Sequence, residues 1–145
     1  MAFAVLALGC GSEDCPKPLP CPKPVECPPP AGFDVGTVKD RSVRLALDAL
    51  QYLRAGKYEP VRALFTPSLR DELPPEKLDG IVRGLITAHG PIVQVTDAWR
   101  TEIEEKQVHM PAAEVLIRMT NETRVNLMLV FDPDGAVKGL WMRPI

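Results

Sequence analysis

Residues 15–32 repeat a hexad three times, CPKPLP, CPKPVE and CPPPAG, and eight of the chain's 16 prolines fall between residues 16 and 30. Proline fixes φ and removes a backbone donor, so alternate prolines forbid both a helix and a central strand over this stretch. Polyproline II is what remains, rising ~3.1 Å per residue without internal hydrogen bonds. The strip therefore divides the chain. Before it stand MAFAVLALG and Cys10; after it, from Asp34 to Ile145, the composition is that of one compact domain. Its length, ~110 residues, supports one hydrophobic core and not two.

Ala2 to Leu8 is an uninterrupted apolar run. It is far short of the ~20 residues that span a bilayer, and it has the length of a short secretory signal core. The alternative, a fragment of a buried strand or helix, sits poorly with a proline-rich strip directly after it. Ala7-Leu8-Gly9-Cys10 resembles the lipobox of bacterial lipoproteins. In that family the small residue before the cysteine admits the peptidase, the thiol takes a diacylglycerol, and the freed amine is acylated. The resemblance implies a signal segment over residues 1–9 and lipidation at Cys10. It implies membrane lipid as a partner through N-terminal acylation, and an exported protein on the outer membrane or periplasmic face of a bacterial envelope. No Lys or Arg precedes the apolar run; a start codon upstream of Met1 would supply the missing positive segment.

Residues 10–33 then form the lipidated cysteine and a stiff tether. Cys15, Cys21 and Cys27 stand six apart, and three residues per turn would put all three thiols on one edge. In an exported protein they are candidate disulfide cysteines, and three is odd, so at least one is free or paired between molecules. Two strips in register would give a covalent dimer. One metal ion would not be shared, because neighbouring thiols lie ~19 Å apart on such a strip. There is no CxxCH, and nothing else implies a cofactor. Lys17 and Lys23 face either anionic headgroups or solvent.

In the domain, Val43, Ala46, Leu47, Leu50 and Leu53 recur at helical steps, predicting a helix over Thr37–Ala55 that Gly56 ends. Val61, Leu64 and Phe65 mark a short second helix, and Thr66-Pro67 caps and opens a third through Leu73. Pro75 opens a long helix with Leu78, Ile81, Val82, Leu85 and Ile86 on one side, closed by Gly90. Gly80 and Gly84 share a face of it, where another element would approach closely. Strands follow: Val93 to Ile103, Val108 to Met119, then Val125, Leu127, Leu129 and Phe131 in strict alternation. Asp132-Pro133-Asp134-Gly135 is a turn, and Ala136 to Met142 the return strand. Pro111 marks an edge or bulge in the second strand. Helices followed by antiparallel strands predict an α+β domain over residues 34–145, with N-terminal helices packed on a curved four-stranded sheet.

The stretch ALDALQYLRAGKYEPVRALFTPSLRDELPPEKLDGIVRGLITAHG, with Gly56, Tyr58, Leu64-Phe65, Leu73 to Glu76, Leu78 and His89-Gly90, resembles a bacterial family of unknown function. Phe131-Asp132, Gly139-Leu140-Trp141 and Arg143-Pro144 resemble that family's C-terminal hairpin. The family is similar to the cystatin-like cone of nuclear transport factor 2 and ketosteroid isomerase, and some members precede serine hydrolases. The resemblance implies a cone-shaped domain and pairing of two copies through their sheets. No GxSxG nucleophile elbow occurs in the sequence.

A cone cavity would be lined by Tyr52, Asp97, Trp99, Ile117, Leu129 and Trp141. Catalysis there would need a carboxylate in apolar surroundings, for which Asp97 near Trp99 is the candidate base. Tyr52 or Tyr58 would donate to an oxyanion and His109 would shuttle a proton. Each also reads plainly: Asp97 as a strand-surface carboxylate, Tyr58 as a structural residue, and His109 and His89 as surface histidines. Glu102, Glu104 and Glu105 read as a solvated strand end rather than a cation site, and no residues have zinc spacing. Asn121-Glu122-Thr123 matches a glycosylation sequon, accidental in a bacterial protein. Arg118 and Arg124 would approach across a hairpin, either to meet an acidic partner or to keep the sheet soluble. A net charge of −2 with interspersed signs gives no basic stripe for nucleic acid. The sequence thus points to a non-catalytic domain on a lipid anchor, binding a protein partner or a second copy. A small-molecule carrier, or a weak isomerase- or hydrolase-type enzyme, is the alternative.

Overall fold

A computed structural model of the 145-residue chain describes residues 35–145. The signal segment, Cys10, and the strip with Cys15, Cys21 and Cys27 lie outside the described residues. A 3₁₀ turn at Val35–Thr37 leads into α1 (Arg41–Arg54), α2 (Tyr58–Arg62), α3 (Pro67–Glu72) and α4 (Pro75–His89). The strands β1 (Ile92–Glu105), β2 (Val108–Met119), β3 (Arg124–Phe131) and β4 (Val137–Pro144) follow as an antiparallel meander in the order β1-β2-β3-β4. The domain is α+β, helices first and sheet second. Among the described residues no helix is long and apolar enough to cross a membrane.

The first helix starts at Arg41 rather than Thr37 because Asp40 caps it. The Asp40 carboxylate accepts from the amides of Ser42 at 2.8 Å and Val43 at 3.2 Å. At the other end Gly56, at φ 69°, supplies the left-handed residue that releases the chain. The second helix is shorter than the spacing predicts. Leu64 and Phe65 leave it to meet the sheet: the Thr66 amide donates to the Val137 carbonyl, and the Val137 amide to that of Leu64, both at 2.8 Å. Thr66 then caps α3 by accepting from the Leu69 amide at 3.3 Å.

One face of the sheet carries the core. Ala113, Val115, Ile117 and Met119 of β2 and Val125, Leu127, Leu129 and Phe131 of β3 pack against Val43, Ala46, Leu47, Leu50 and Leu53 of α1. From α4 only Leu78 and Val82 are fully buried, with Ile81, Leu85 and Ile86 half-buried at the margin. Gly80 and Gly84 do not receive another element. Both face solvent, and a Cβ at either would meet nothing within 4 Å, because the apolar stripe of α4 turns the opposite way. Pro111 sits just past the last β2–β3 pair, Ala112↔Val130, so its missing donor falls where β2 has become an edge. Two irregularities, at Ile92/Gln94 and Val95/Asp97, interrupt the alternation of β1.

The β1–β2 hairpin closes through Lys106 and Gln107, at φ 53° and 65°. Two positive φ values in a two-residue loop suit Asn-Gly far better than these side chains. Gln107→Gly is expected to raise stability by about 1 kcal/mol, read as a higher urea midpoint with unchanged slope.

Candidate functional site

Directly paired residues of an antiparallel sheet project to the same side. With Val115, Ile117, Leu127 and Leu129 turned to the helices, the intervening residues make the opposite face. The register draws three rows across it. Trp99, Glu114, Met128 and Trp141 form one; Thr101, Ala112, Val130 and Gly139 the next; Asp97, Leu116, Asn126 and Arg143 the third.

This outer face is apolar at its centre. Met110, Ala112 and Val130 are buried there in a cluster of their own, flanked by Ile103 and Met128. Among the described residues no helical side chain belongs to that cluster. The two tryptophans stand on the edge strands, Trp99 at 38% exposure and Trp141 at 47%. The Trp141 indole lies back over Gly139: a Cβ at position 139 would overlap ring carbons Cη2 and Cζ3. Glycine is what lets the ring lie flat on the sheet.

Polar atoms are set into the same surface. Asn126, 8% exposed, donates from Nδ2 to Glu114 Oε2 at 2.6 Å. Its Oδ1 is buried without a hydrogen-bond partner, and so is Nε of Arg118, two residues along the diagonal. Arg118 lies opposite Arg124, and its Nη1 reaches Glu122 at 3.2 Å. An unmade buried hydrogen bond costs about 1–3 kcal/mol. A donor delivered to Asn126 Oδ1 and an acceptor delivered to Arg118 Nε would remove that cost.

The six residues expected around one cavity are divided between the two sides of the sheet. Ile117 and Leu129 have 0% exposure inside the core, with α1 filling the space above them. Trp99 and Trp141 share the outer row. Asp97 lies on the edge strand, exposed, its Oδ1 accepting from the Ala98 amide at 2.8 Å rather than sitting in an apolar recess. Tyr52 is an exposed residue of α1. His109 is exposed near the β1–β2 hairpin, and His89 ends α4 with Nδ1 3.4 Å from the Asn121 side-chain amide. Glu105 pairs with Lys138 at 3.6 Å, and Glu102 with Arg100 at 3.9 Å. Among the described residues no three His, Cys, Asp or Glu side chains converge as metal ligands. Depressions of about 100, 150 and 230 Å³ lie beside Leu50, Pro133 and Met110, each below the ~300 Å³ of an ordinary small-molecule site.

Tyr58 has a structural post. Its hydroxyl donates to Asp79 Oδ1 at 2.8 Å, tying α2 to α4, and Asp79 also holds Arg83 at 2.8 Å. Burial first, and then the hydrogen bond to the Asp79 carboxylate, hold the Tyr58 hydroxyl above the usual 10.0. The folded protein thus keeps this proton better than the unfolded chain. The stabilisation is complete below the usual tyrosine range and is lost as pH rises beyond it.

Glu114, Asn126, Met128 and Gly139 were not legible as site residues. Asn126 within an apolar strand was the one available signal. Comparison with protein-family models, with curated proteins and with solved structures returns no match.

Tyr58→Phe is expected to cost about 1 kcal/mol at pH 7, with the gap to the parent narrowing above pH ~10, measured by urea unfolding across that range. Gly139→Ala, made on a Trp99→Phe background so that Trp141 alone emits, is expected to lift the indole from the sheet. A red shift in emission with little change in unfolding midpoint is the outcome to look for.

Proposed function

We propose that this chain is a lipid-anchored envelope protein whose α+β domain is a non-catalytic binding module, with the outer face of the sheet as its binding surface. One observation carries the reading: two half-exposed tryptophans stand on the edge strands of a sheet face that buries Ala112 and Val130 in the row on one side of them and, in the rows on the other side, leaves Asn126 Oδ1 and Arg118 Nε without a partner. Aromatic side chains with a polar tip, beside desolvated polar atoms, are what interaction surfaces concentrate. The anchor rests on Ala7-Leu8-Gly9-Cys10, and several acyl chains at ~0.8 kcal/mol per buried methylene would hold the domain at a membrane. The order of helices then meander supports assigning the domain to the nuclear transport factor 2-like cone class. In this reading the helices and core side chains occupy the concave side, leaving the opposite face for recognition.

Membrane fractionation tests the anchor. The parent chain is expected in the membrane fraction and the Cys10→Ser chain in the soluble one; a Cys10→Ser chain that stays with the membrane overturns it. A native mass spectrum after gentle purification tests the module. The bare chain mass is expected, and a small-molecule increment released on denaturation would move the function to a carrier.

A further inference from the structure

The outer face has a chemically specific gap. Two indoles stand on the edge strands, about three strand spacings or ~14 Å apart. Glu114 and Met128 stand between them; in the adjoining row Asn126, bonded to Glu114 through Nδ2, keeps Oδ1 buried and unpaired, and one row further Arg118 Nε is an unpaired donor. An occupant must therefore offer flat apolar groups to two indoles, a cation to Glu114 and Asn126, and a bare carbonyl to Arg118.

This chain contains such a segment. Residues 16–24 read PKPLPCPKP, five alternate prolines with Lys17 and Lys23 among them. Polyproline II segments dock on aromatic-lined surfaces because their rings stack on indoles and little conformational entropy is lost. Proline carries no N–H, so the carbonyls of the segment are free acceptors, and an ammonium has three donors and no acceptor. Six residues of polyproline II span ~19 Å, enough to cross from Trp99 to Trp141.

The geometry of the chain permits the contact. The folded domain begins beside β1, where Asp40 pairs with Arg100 at 3.7 Å, and Arg100 adjoins Trp99 on that edge strand. Ten residues, 25–34, separate the segment from the described fold, and at ~3.3 Å each they reach up to ~33 Å. Rounding one sheet edge requires about one layer spacing, ~10 Å.

We infer that residues 16–24 dock on the outer face of their own domain, prolines on Trp99 and Trp141 and a lysine on Glu114 and Asn126. The inference rests on the reading of that face as a binding surface and is independent of lipidation at Cys10. Docking shortens the tether, so whatever displaces the segment lengthens the reach of the domain.

Trp99 and Trp141 are the chain's two tryptophans, so intrinsic fluorescence reports on this face alone. Acrylamide quenching is measured on the full chain under reducing conditions and on two variants. One replaces Pro16, Pro18, Pro20, Pro22 and Pro24 with Ser; the other is Lys17→Gln with Lys23→Gln. Both leave the described domain untouched, and circular dichroism checks its fold. The expected result is protection of the indoles in the parent, unchanged on dilution, lost in the proline variant and weakened in the lysine variant. Equal quenching in the parent and the proline variant overturns the inference, and leaves the face to a foreign partner. Protection that disappears on dilution also overturns it, and assigns the face to a second copy. A small-molecule increment in the native mass spectrum would instead sink the binding-module reading, so the two failures are told apart.

Discussion

Val115, Ile117, Leu127 and Leu129 form the middle of the helix-facing side of the sheet, all at 0% exposure, under Leu47, Leu50 and Leu53 of α1. Each such side chain contributes about 1.5–3 kcal/mol when withdrawn from water. Their alternation makes register a strong constraint. A one-residue slip of β3 would turn Asn126 and Met128 into the helices and expose Leu127 and Leu129. The packing of one face therefore determines which residues meet on the other. The row of Trp99, Glu114, Met128 and Trp141 is a consequence of core burial on the opposite side.

The two central strands carry buried residues on both faces, yet the described helices contribute only to one core cluster. Ile103 and Met128 pack against the second cluster, and the Trp141 indole lies over Gly139. This arrangement leaves an apolar, partly open surface and desolvates the polar atoms of Asn126 and Arg118 within it. Such atoms cost stability in isolation and add to affinity once met. Asp97 and His109 are exposed on β1 and β2, and His89 ends α4.

The helical layer is fastened by short polar links. Asp40 holds the start of α1, Thr66 that of α3, and Tyr58 joins α2 to α4 through Asp79. The paired bonds between Val137 and the Leu64–Thr66 segment stitch the helices to the last strand. Asp40 also reaches Arg100 at 3.7 Å, which sets the start of α1 beside β1.

Much of this was written in local patterns. The face of α1, the Thr66-Pro67 start of α3, the alternation of β3 and the Asp132–Gly135 turn all follow from spacing and backbone chemistry, which act within a few residues. The Lys106–Gln107 hairpin was silent, because its residues are poor formers of the turn that pairing of β1 with β2 imposes on them. The residues expected around one cavity fall on two sides of the sheet for a related reason. Period two says that Ile117 and Leu129 share one side and Trp99 and Trp141 the other only once the pairing and the β1 irregularities are known. By itself the sequence determined a proline-rich strip that can enter neither helix nor central strand, and the order of helices before strands. Tertiary structure alone decided that Trp99 and Trp141, 42 positions apart, flank one surface with Glu114 and Met128 between them. Register is a property of paired strands, set by the total burial of a face and by no single residue along the chain.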